Sequence, residues 1–352
     1  MTAPLAYVTA EWPEVGHEGL VRLGYRIRTG GWGSTGDALD PEQLIAAAAG
    51  ASVLVVEVER VDDQVLAALP DVEVVCTARG TPSNVDLAAC SRRGIPVLNT
   101  PGRNADSVAD YVIGLIIAGC RGISAGERHL RSTGWLVGGQ VPYLHFRGPE
   151  LGRMTLGLIG YGEIGQRVAA RAERGFGMRV LHHDPFRTDD SGEGAVDLPT
   201  LLRTADVVSL HCTRSPQTVN LIDAAALALM KPTAYLVNTA GGGMVDEAAL
   251  LAALDAGDLA GAALDVFATE PLPADSPLLR DDRLLLTPHL AGAADDVAAH
   301  HAEMICADLA LLADGKDPAH CANLDAVRPV SAPRHLVALR EETERLARHR
   351  LG

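Results

Sequence analysis

The run Leu156-Gly157-Leu158-Ile159-Gly160-Tyr161-Gly162-Glu163-Ile164-Gly165 carries glycines in the spacing Gly-x-Gly-x-x-Gly, and Asp184 stands nineteen residues past the last of them. Glycine is common in this chain, 36 of 352 residues, so the spacing alone says little and its context says more. The apolar run predicts a buried strand that ends at Gly160, and residues 166–171 continue with helical character. Residues 179–183 predict a second strand that delivers Asp184 at its C-terminal tip. In that setting Gly160 allows a tight turn, Gly162 lets backbone amides approach a pyrophosphate at a helix N-terminus, and Gly165 lets helix and strand pack closely. The Asp184 carboxylate can accept hydrogen bonds from ribose hydroxyls and would repel a 2′-phosphate, which favours NAD over NADP. The alternative for the same residues is a structural glycine turn in some other α/β protein.

Those residues need a scaffold. Short β-type runs alternate with helical patterns along the whole chain, the signature of parallel α/β sheets. Strands are expected at 5–9, 25–29, 53–57, 72–77 and 96–99, with helical stretches at 41–49 and 64–69, making a small α/β layer. A helix over 106–121 follows, then an irregular segment at 134–148 that reads as an arm or loop at a subunit interface. Strands at 156–160, 179–183, 206–210, 234–238, 260–265 and 284–287 make a second unit. The helical pattern over 295–312 is too short for a third domain and is expected to return to the first unit. A charged stretch over 336–348, with Leu336, Leu339 and Leu346 on roughly one side, is expected to be a surface-packed helix.

At 352 residues the chain has room for two domains of ordinary size. Its formal charge of −15 argues against nucleic acid and anionic membrane surfaces as partners. The six cysteines fall in no metal-binding spacing and read as reduced, mostly buried thiols of a cytoplasmic protein. No N-terminal segment pairs a basic start with an apolar core, so secretion is not expected. The longest apolar stretch, 108–120, contains Asp110 and is too short to span a bilayer.

Three loops at expected strand ends hold further candidate chemistry: 238–247 with its Asn-Thr-Ala-Gly-Gly-Gly run, 264–273 with Glu270, and 286–292 with His289. In doubly wound folds ligands sit beyond the C-terminal ends of strands, so these loops converge on the nicotinamide end of a bound cofactor. Gly80-Thr81-Pro82-Ser83-Asn84-Val85-Asp86, Asn99-Thr100-Pro101-Gly102-Arg103-Asn104, Ser107-Val108-Ala109-Asp110 and Ser209-Leu210-His211 add to them. Over roughly residues 50–325 the chain resembles the D-isomer-specific 2-hydroxyacid dehydrogenases, the family that includes phosphoglycerate, glycerate, formate and phosphite dehydrogenases.

The resemblance implies a Rossmann-type doubly wound NAD-binding domain over 105–290. It implies a smaller flavodoxin-like α/β substrate domain built from 1–104 and 291–330, and a C-terminal helical tail over 331–352. NAD would touch Gly160, Gly162, Glu163, Ile164, Gly165, Asp184, Pro185, Cys212, Thr213, Thr239, Ala240, Gly241, Asp265, His289, Gly292 and Val108. Substrate would be held by Arg79, Gly80, Thr81 and Asn104. The implied reaction passes a hydride between the nicotinamide and a 2-keto or 2-hydroxy acid or related small anion. His289 would exchange the proton at the substrate oxygen, and Glu270 would hydrogen-bond the ring, orient it and favour its protonated form. A homodimer formed through the 106–121 helix and the 134–148 arm is also implied.

One position departs from the family pattern. An arginine that grips the substrate carboxylate and keto oxygen as a bidentate fork belongs directly after Asn-Thr-Ala, where this chain has Gly241. Glycine offers neither the charged hydrogen bond, worth roughly 1.5–3 kcal/mol, nor the transition-state contact, worth about 10²–10³ in rate. Gly241, Gly242 and Gly243 together predict a mobile loop with more room beside the nicotinamide. Arg79 could reach the same anion from the opposite wall, with a surface salt bridge as its alternative; Arg103 is a second candidate, with a helix-entry phosphate or a structural contact as its alternative. His182, His183, His211, His300 and His301 are expected to be structural or exposed. Two rival readings stay open: an NAD-binding sensor or interaction module without dehydrogenase activity, and an enzyme that uses NAD without net redox change.

Overall fold

The computed structural model describes residues 3–187 and 194–328, so the helix expected over 336–348 and the tail 331–352 lie outside the described residues. The chain divides into two compact units, Met1–Arg103 with Asp295–Gly352 and Asn104–Ala294.

In the first unit β1 (Leu5–Val8), β2 (Arg26–Thr29), β3 (Ala51–Val56), β4 (Val74–Thr77) and β5 (Val97–Leu98) form one sheet in the order β2-β1-β3-β4-β5. Every pairing in it is parallel. The central strands are apolar on both faces because helices cover both faces, the pattern of a buried parallel sheet. The helix Val297–Ala313 packs in this unit against Glu14–Arg22. Their approach is close enough that a Cβ at Gly16 would meet Ala302 Cβ at 2.8 Å, and one at Gly19 would meet Cys306 Sγ at 2.5 Å. Beyond that helix, Asn323 completes the short edge strand β5: its Oδ1 accepts the Val97 N–H at 2.9 Å and its Nδ2 donates to Ile95 O at 3.0 Å.

The second unit holds β6 (Thr155–Ile159), β7 (Arg179–His183), β8 (Val207–Leu210), β9 (Tyr235–Asn238), β10 (Gly261–Leu264) and β11 (Leu284–Leu286). They run parallel in the order β11-β10-β9-β8-β6-β7, so the winding reverses between β6 and β8. Several strands are a residue or two shorter than the apolar runs suggest. Just before β8 the Asp206 backbone bonds to both neighbouring strands, to Thr155 O at 2.8 Å and from Tyr235 N–H at 3.0 Å, while its carboxylate accepts the Thr155 N–H at 2.8 Å and Lys231 Nζ at 2.7 Å.

The helix Ala105–Cys120 buries Val108, Val112, Ile116 and their neighbours in the core of this unit. After Gly122, at φ +63°, a second helix, Ile123–Ser132, leaves at an angle of 60°. The sequence pattern does not reveal it because it has no core stripe: Ile123 and Leu130 are exposed and none of its residues is buried. The segment 134–148 is irregular, with one 3₁₀ turn at Pro142–Leu144, and it exposes Trp135, Leu136, Val141, Tyr143 and Leu144. Among the described residues no single helix is long and apolar enough to cross a membrane.

His301 shows how the first unit titrates. It is 1% exposed, stacks on Trp12 at 5.9 Å, faces Arg103 Nη1 at 3.0 Å through Nδ1, and approaches Glu11 O at 2.6 Å through Nε2. Burial, with the charges of Arg103 and His300, pushes its pKa down to about 4 against the pull of the Glu11 carbonyl. The folded state therefore stays neutral where the unfolded chain takes up a proton, so its contribution is complete above about pH 6.5 and is lost as pH falls. Urea unfolding at pH 5 should show about 2 kcal/mol less stability from this residue than at pH 7.5, and His301→Gln should remove that part of the slope. Identical pH slopes in the two proteins would contradict the assignment.

Candidate active site

The glycine loop sits where the winding of the second sheet reverses. Gly160 follows β6 at φ +95°, and a Cβ there would lie 2.5 Å from Cys212 N in the loop after β8. A Cβ at Gly165 would lie 2.4 Å from Gly160 O, so helix Glu163–Phe176 can approach its own strand only through glycine. Gly162 is different: nothing lies within 4 Å of its Cβ position. Among the described residues, six helices open on an aspartate (Asp40, Asp62, Asp86, Asp197, Asp223 or Asp246) whose carboxylate accepts first-turn amides. The helix at Glu163 opens on Gly162 with no side-chain cap, leaving amides and open space for an anion.

Asp184 at the end of β7 accepts the Tyr161 N–H at 2.9 Å through Oδ2 and the Phe186 N–H at 3.0 Å through Oδ1. It therefore positions the glycine loop as well as presenting charge beside it. Thr239 Oγ1, one residue past β9, is buried with no hydrogen-bond partner among the described residues. Uncapped amides, open space at Gly162 and an orphaned buried hydroxyl all fit a dinucleotide.

Other expected cofactor contacts fall around this loop with different environments. Glu163 is paired with Arg167, Ile164 is half-buried against the core, and Pro185 and Thr213 are exposed. Cys212 Sγ lies 4.0 Å from Met244 Sδ. Gly292 lies against Asn104, where a Cβ would meet Nδ2 at 2.7 Å, and Ala240 donates its N–H to Asn238 Oδ1 at 3.1 Å. Val108 is buried on helix Ala105–Cys120, in a cluster against which Tyr161 and Ile164 of the glycine loop also pack.

At the ends of β10 and β11 the loops carrying Glu270 and His289 meet. His289 Nδ1 lies 2.8 Å from Glu270 Oε2, and Glu270 Oε1 accepts the Phe267 N–H at 3.0 Å. Partial burial raises the Glu270 pKa, but the hydrogen bonds from His289 and Phe267 and the charges of His289 and Arg214 outweigh it and hold the carboxyl below its usual range. His289 Nε2 makes no hydrogen bond among the described residues, and the side chain is 65% exposed.

His289 also sits at φ +55°, in the left-handed region that costs a non-glycine residue of order 1 kcal/mol. Asp265 holds it there. The Asp265 carbonyl accepts the His289 N–H at 2.9 Å. The fully buried carboxylate accepts the Thr287 hydroxyl at 2.6 Å, the Leu290 N–H at 2.8 Å and the Ala291 N–H at 2.9 Å. The side chain expected on the cofactor is thus engaged in building the histidine loop.

The sequence predicts a mobile loop with spare room at Gly241; in the structure the loop is hydrogen-bonded and closely packed. Buried Asn238 brackets it, donating from Nδ2 to Gly241 O at 3.1 Å and accepting the Ala240 N–H through Oδ1. Gly242 presses on the next loop so closely that a Cβ would lie 1.7 Å from Phe267 O, and Asn220 N–H donates to Gly243 O at 2.8 Å. The space beside Gly241 is taken by Arg214 and Met244, each with a side-chain atom 3.3 Å from the Cβ position. Sequence reasoning did not single out Arg214; its only signal was its place directly after Cys212 and Thr213.

Arg79, Gly80 and Thr81 lie in the first unit and Asn104 in the second. Arg79 is half-buried with Nη1 3.5 Å from Glu57 O, and Gly80 O accepts Asn99 Nδ2 at 2.7 Å. Arg103 is committed to structure: it pairs with Glu57 at 2.9 Å and touches His301, with 19% and 14% of the two charged side chains exposed. His211 Nε2 meets the Ser209 hydroxyl at 2.9 Å, and burial pushes its pKa down to about 3, so the ring stays neutral. His182 is buried beneath Tyr161, stacked at 3.8 Å.

Two parallel α/β units, one with a dinucleotide loop at its winding reversal, define an NAD-binding protein of the dehydrogenase class. The NAD-binding domain profile of the D-isomer specific 2-hydroxyacid dehydrogenases matches residues 113–291. YoaD of Bacillus subtilis, a provisionally named 2-hydroxyacid dehydrogenase, is 38% identical over 302 residues, 85% of this chain and 88% of YoaD. The glyoxylate reductase of Korarchaeum cryptofilum is 38% identical over 272 residues, 76% of this chain and 81% of that one. Among solved structures, the TT0316 protein from Thermus thermophilus is similar with a TM-score of 0.77 and 34% identity, covering 90% of this chain and 99% of that chain. The chain belongs to the D-isomer specific 2-hydroxyacid dehydrogenase family, and is an NAD-binding oxidoreductase.

Asp265→Asn should cost about 2 kcal/mol in urea unfolding, since the amide can no longer serve every buried donor that the carboxylate holds. Unchanged stability would show that the His289 loop is held some other way.

Proposed function

We propose that this enzyme interconverts a small 2-keto acid and the corresponding 2-hydroxy acid with NAD(H), using His289 and Glu270 as its acid–base pair. The 2.8 Å contact of His289 Nδ1 with Glu270 carries the reading: it ties up one ring nitrogen and leaves Nε2 to meet a substrate oxygen. The pair stands at the same strand-end edge as the glycine loop. Named relatives include glyoxylate reductases, which supports a short 2-keto acid as substrate.

Bound NADH supplies the hydride. The uncapped amides at Gly162 would hold its pyrophosphate, and Asp184 its ribose, with the negative charge favouring NAD. In reduction His289 Nε2 delivers the proton to the keto oxygen; in oxidation it takes the proton from the hydroxyl. Glu270 fixes the ring, and Asp265 fixes the loop that aims it. The contacts expected from Arg79, Gly80 and Thr81 rest on the family resemblance.

A homodimer is part of the same proposal. Trp135, Val141, Tyr143 and Leu144 are 66–81% exposed on the irregular arm, more apolar surface than a monomer ordinarily leaves in water. The six cysteines are all free thiols, consistent with a reducing, cytoplasmic setting.

With NADH and a panel of 2-keto acids, His289→Asn should lower kcat by about 10²–10⁴ while NADH binding, followed by fluorescence, is kept. Retained turnover would remove His289 from the mechanism. Tight NAD binding with no turnover of any acid would favour a non-enzymatic NAD-binding module, and product formed without net NADH consumption would favour a non-redox use of the cofactor. Tyr143→Asp with Leu144→Asp should convert the dimer into a monomer in light scattering; a native monomer would sink the interface.

A further inference from the structure

An anion bound beside Gly241 needs a cation, and one is already in position. Arg214 lies in the loop after β8, the neighbour in the sheet of β9, whose own end carries Gly241. From the Cβ position of Gly241, Arg214 Cβ is 3.3 Å away and Cδ 3.8 Å away, so the stem of the arginine runs along the face where a side chain at 241 would begin. The loop is stiff at this point: Ser215 N–H donates to Thr218 Oγ1 at 2.8 Å, and that hydroxyl lies 3.0 Å from Thr213 O. A hydroxyl on a single residue thus brackets Arg214 from both sides.

The guanidinium has its donors to spare. Arg103, Arg167, Arg171 and Arg283 are each engaged in an ion pair, whereas Arg214 is exposed and makes no hydrogen bond or ion pair among the described residues. It is near enough to Glu270 for its charge to help keep that carboxyl ionised, yet it forms no salt bridge with it. A cation held beside the acid–base pair, with its donors free, is what a carboxylate-bearing substrate requires.

We propose that Arg214 is the substrate-carboxylate-binding residue of this enzyme, reaching across Gly241 from the neighbouring loop to occupy the role of the arginine that the family pattern places at position 241. Glycine at 241 is then the complement of Arg214 and not a loss: a Cβ there would sit in tight contact, 3.3 Å, with the arginine stem, and a longer side chain would compete with it for the same space. The ligand class is a small 2-keto or 2-hydroxy carboxylate. The inference rests on the oxidoreductase reading for what the bound anion does, but the binding of the anion can be measured without turnover.

Oxamate, a 2-keto-acid analogue that is not reduced, is titrated into the complex of the protein with NADH and followed by NADH fluorescence; glyoxylate and hydroxypyruvate serve for steady-state kinetics. Arg214→Ala should weaken oxamate binding on the order of ten- to hundredfold and lower kcat/KM by about 10²–10³, with NADH affinity kept. Arg214→Lys should recover part of the loss, because a point charge replaces the fork. Gly241→Arg alone should impair binding, and Gly241→Arg combined with Arg214→Leu should restore it, a coupling that a purely structural Arg214 would not show.

Oxamate binding and kcat/KM in Arg214→Ala equal to native would overturn the proposal, as would a loss confined to Arg79→Ala. Native protein that binds oxamate through Arg214 but reduces nothing would refute the oxidoreductase reading and leave Arg214 standing. Reduction of glyoxylate that is indifferent to Arg214→Ala would do the reverse. A native complex that neither binds oxamate nor reduces a keto acid would refute both.

Discussion

One buried carboxylate organises the chemistry of the second unit. Asp265 has no exposed surface, and its negative charge is tolerated because three donors from the β11 end surround it: a hydroxyl and two backbone amides. Those bonds fold the chain back after β11 and force His289 into a conformation that its own backbone does not favour. The strain is tolerated only because the carboxylate and carbonyl of one residue hold both sides of the turn. Position of the ring, and therefore its meeting with Glu270, follows from an ion that no substrate need ever touch.

The second constraint is distance between backbones. Loops after β6 and β8 meet at Gly160, and loops after β9 and β10 meet at Gly242, each at a separation that excludes a Cβ. Glycine is required there for contact and not for looseness. The same logic makes the Gly241–Gly243 run a tightly seated piece of structure in spite of its composition, with Asn238 supplying the hydrogen bonds that a side chain-free stretch cannot supply for itself.

Much of this was legible in the sequence where one local rule dominated. The strand–glycine–helix–strand–Asp184 pattern is set by backbone sterics and hydrogen bonding within about thirty residues, and the parallel α/β class follows from alternating periodicities. Glu270 and His289 are legible as a pair only through the family resemblance, since nineteen residues of intervening chain give no geometry by themselves. What escaped was set by contacts between loops. Helix Ile123–Ser132 has no buried stripe to announce it, the rigidity of the glycine run depends on Asn238 and Phe267, and Arg214 acquires meaning only once β8 and β9 are known to be neighbours.

The arm has an optical consequence. The chain has three tryptophans, and they divide by environment: Trp12 is 8% exposed in the first unit, Trp32 41%, and Trp135, on the irregular arm, 68%. Covering that arm would move Trp135 from water into an apolar contact while leaving Trp12 where it is. The emission colour of the native protein therefore carries a record of what the arm is touching, written by a residue that belongs to neither the glycine loop nor the histidine loop.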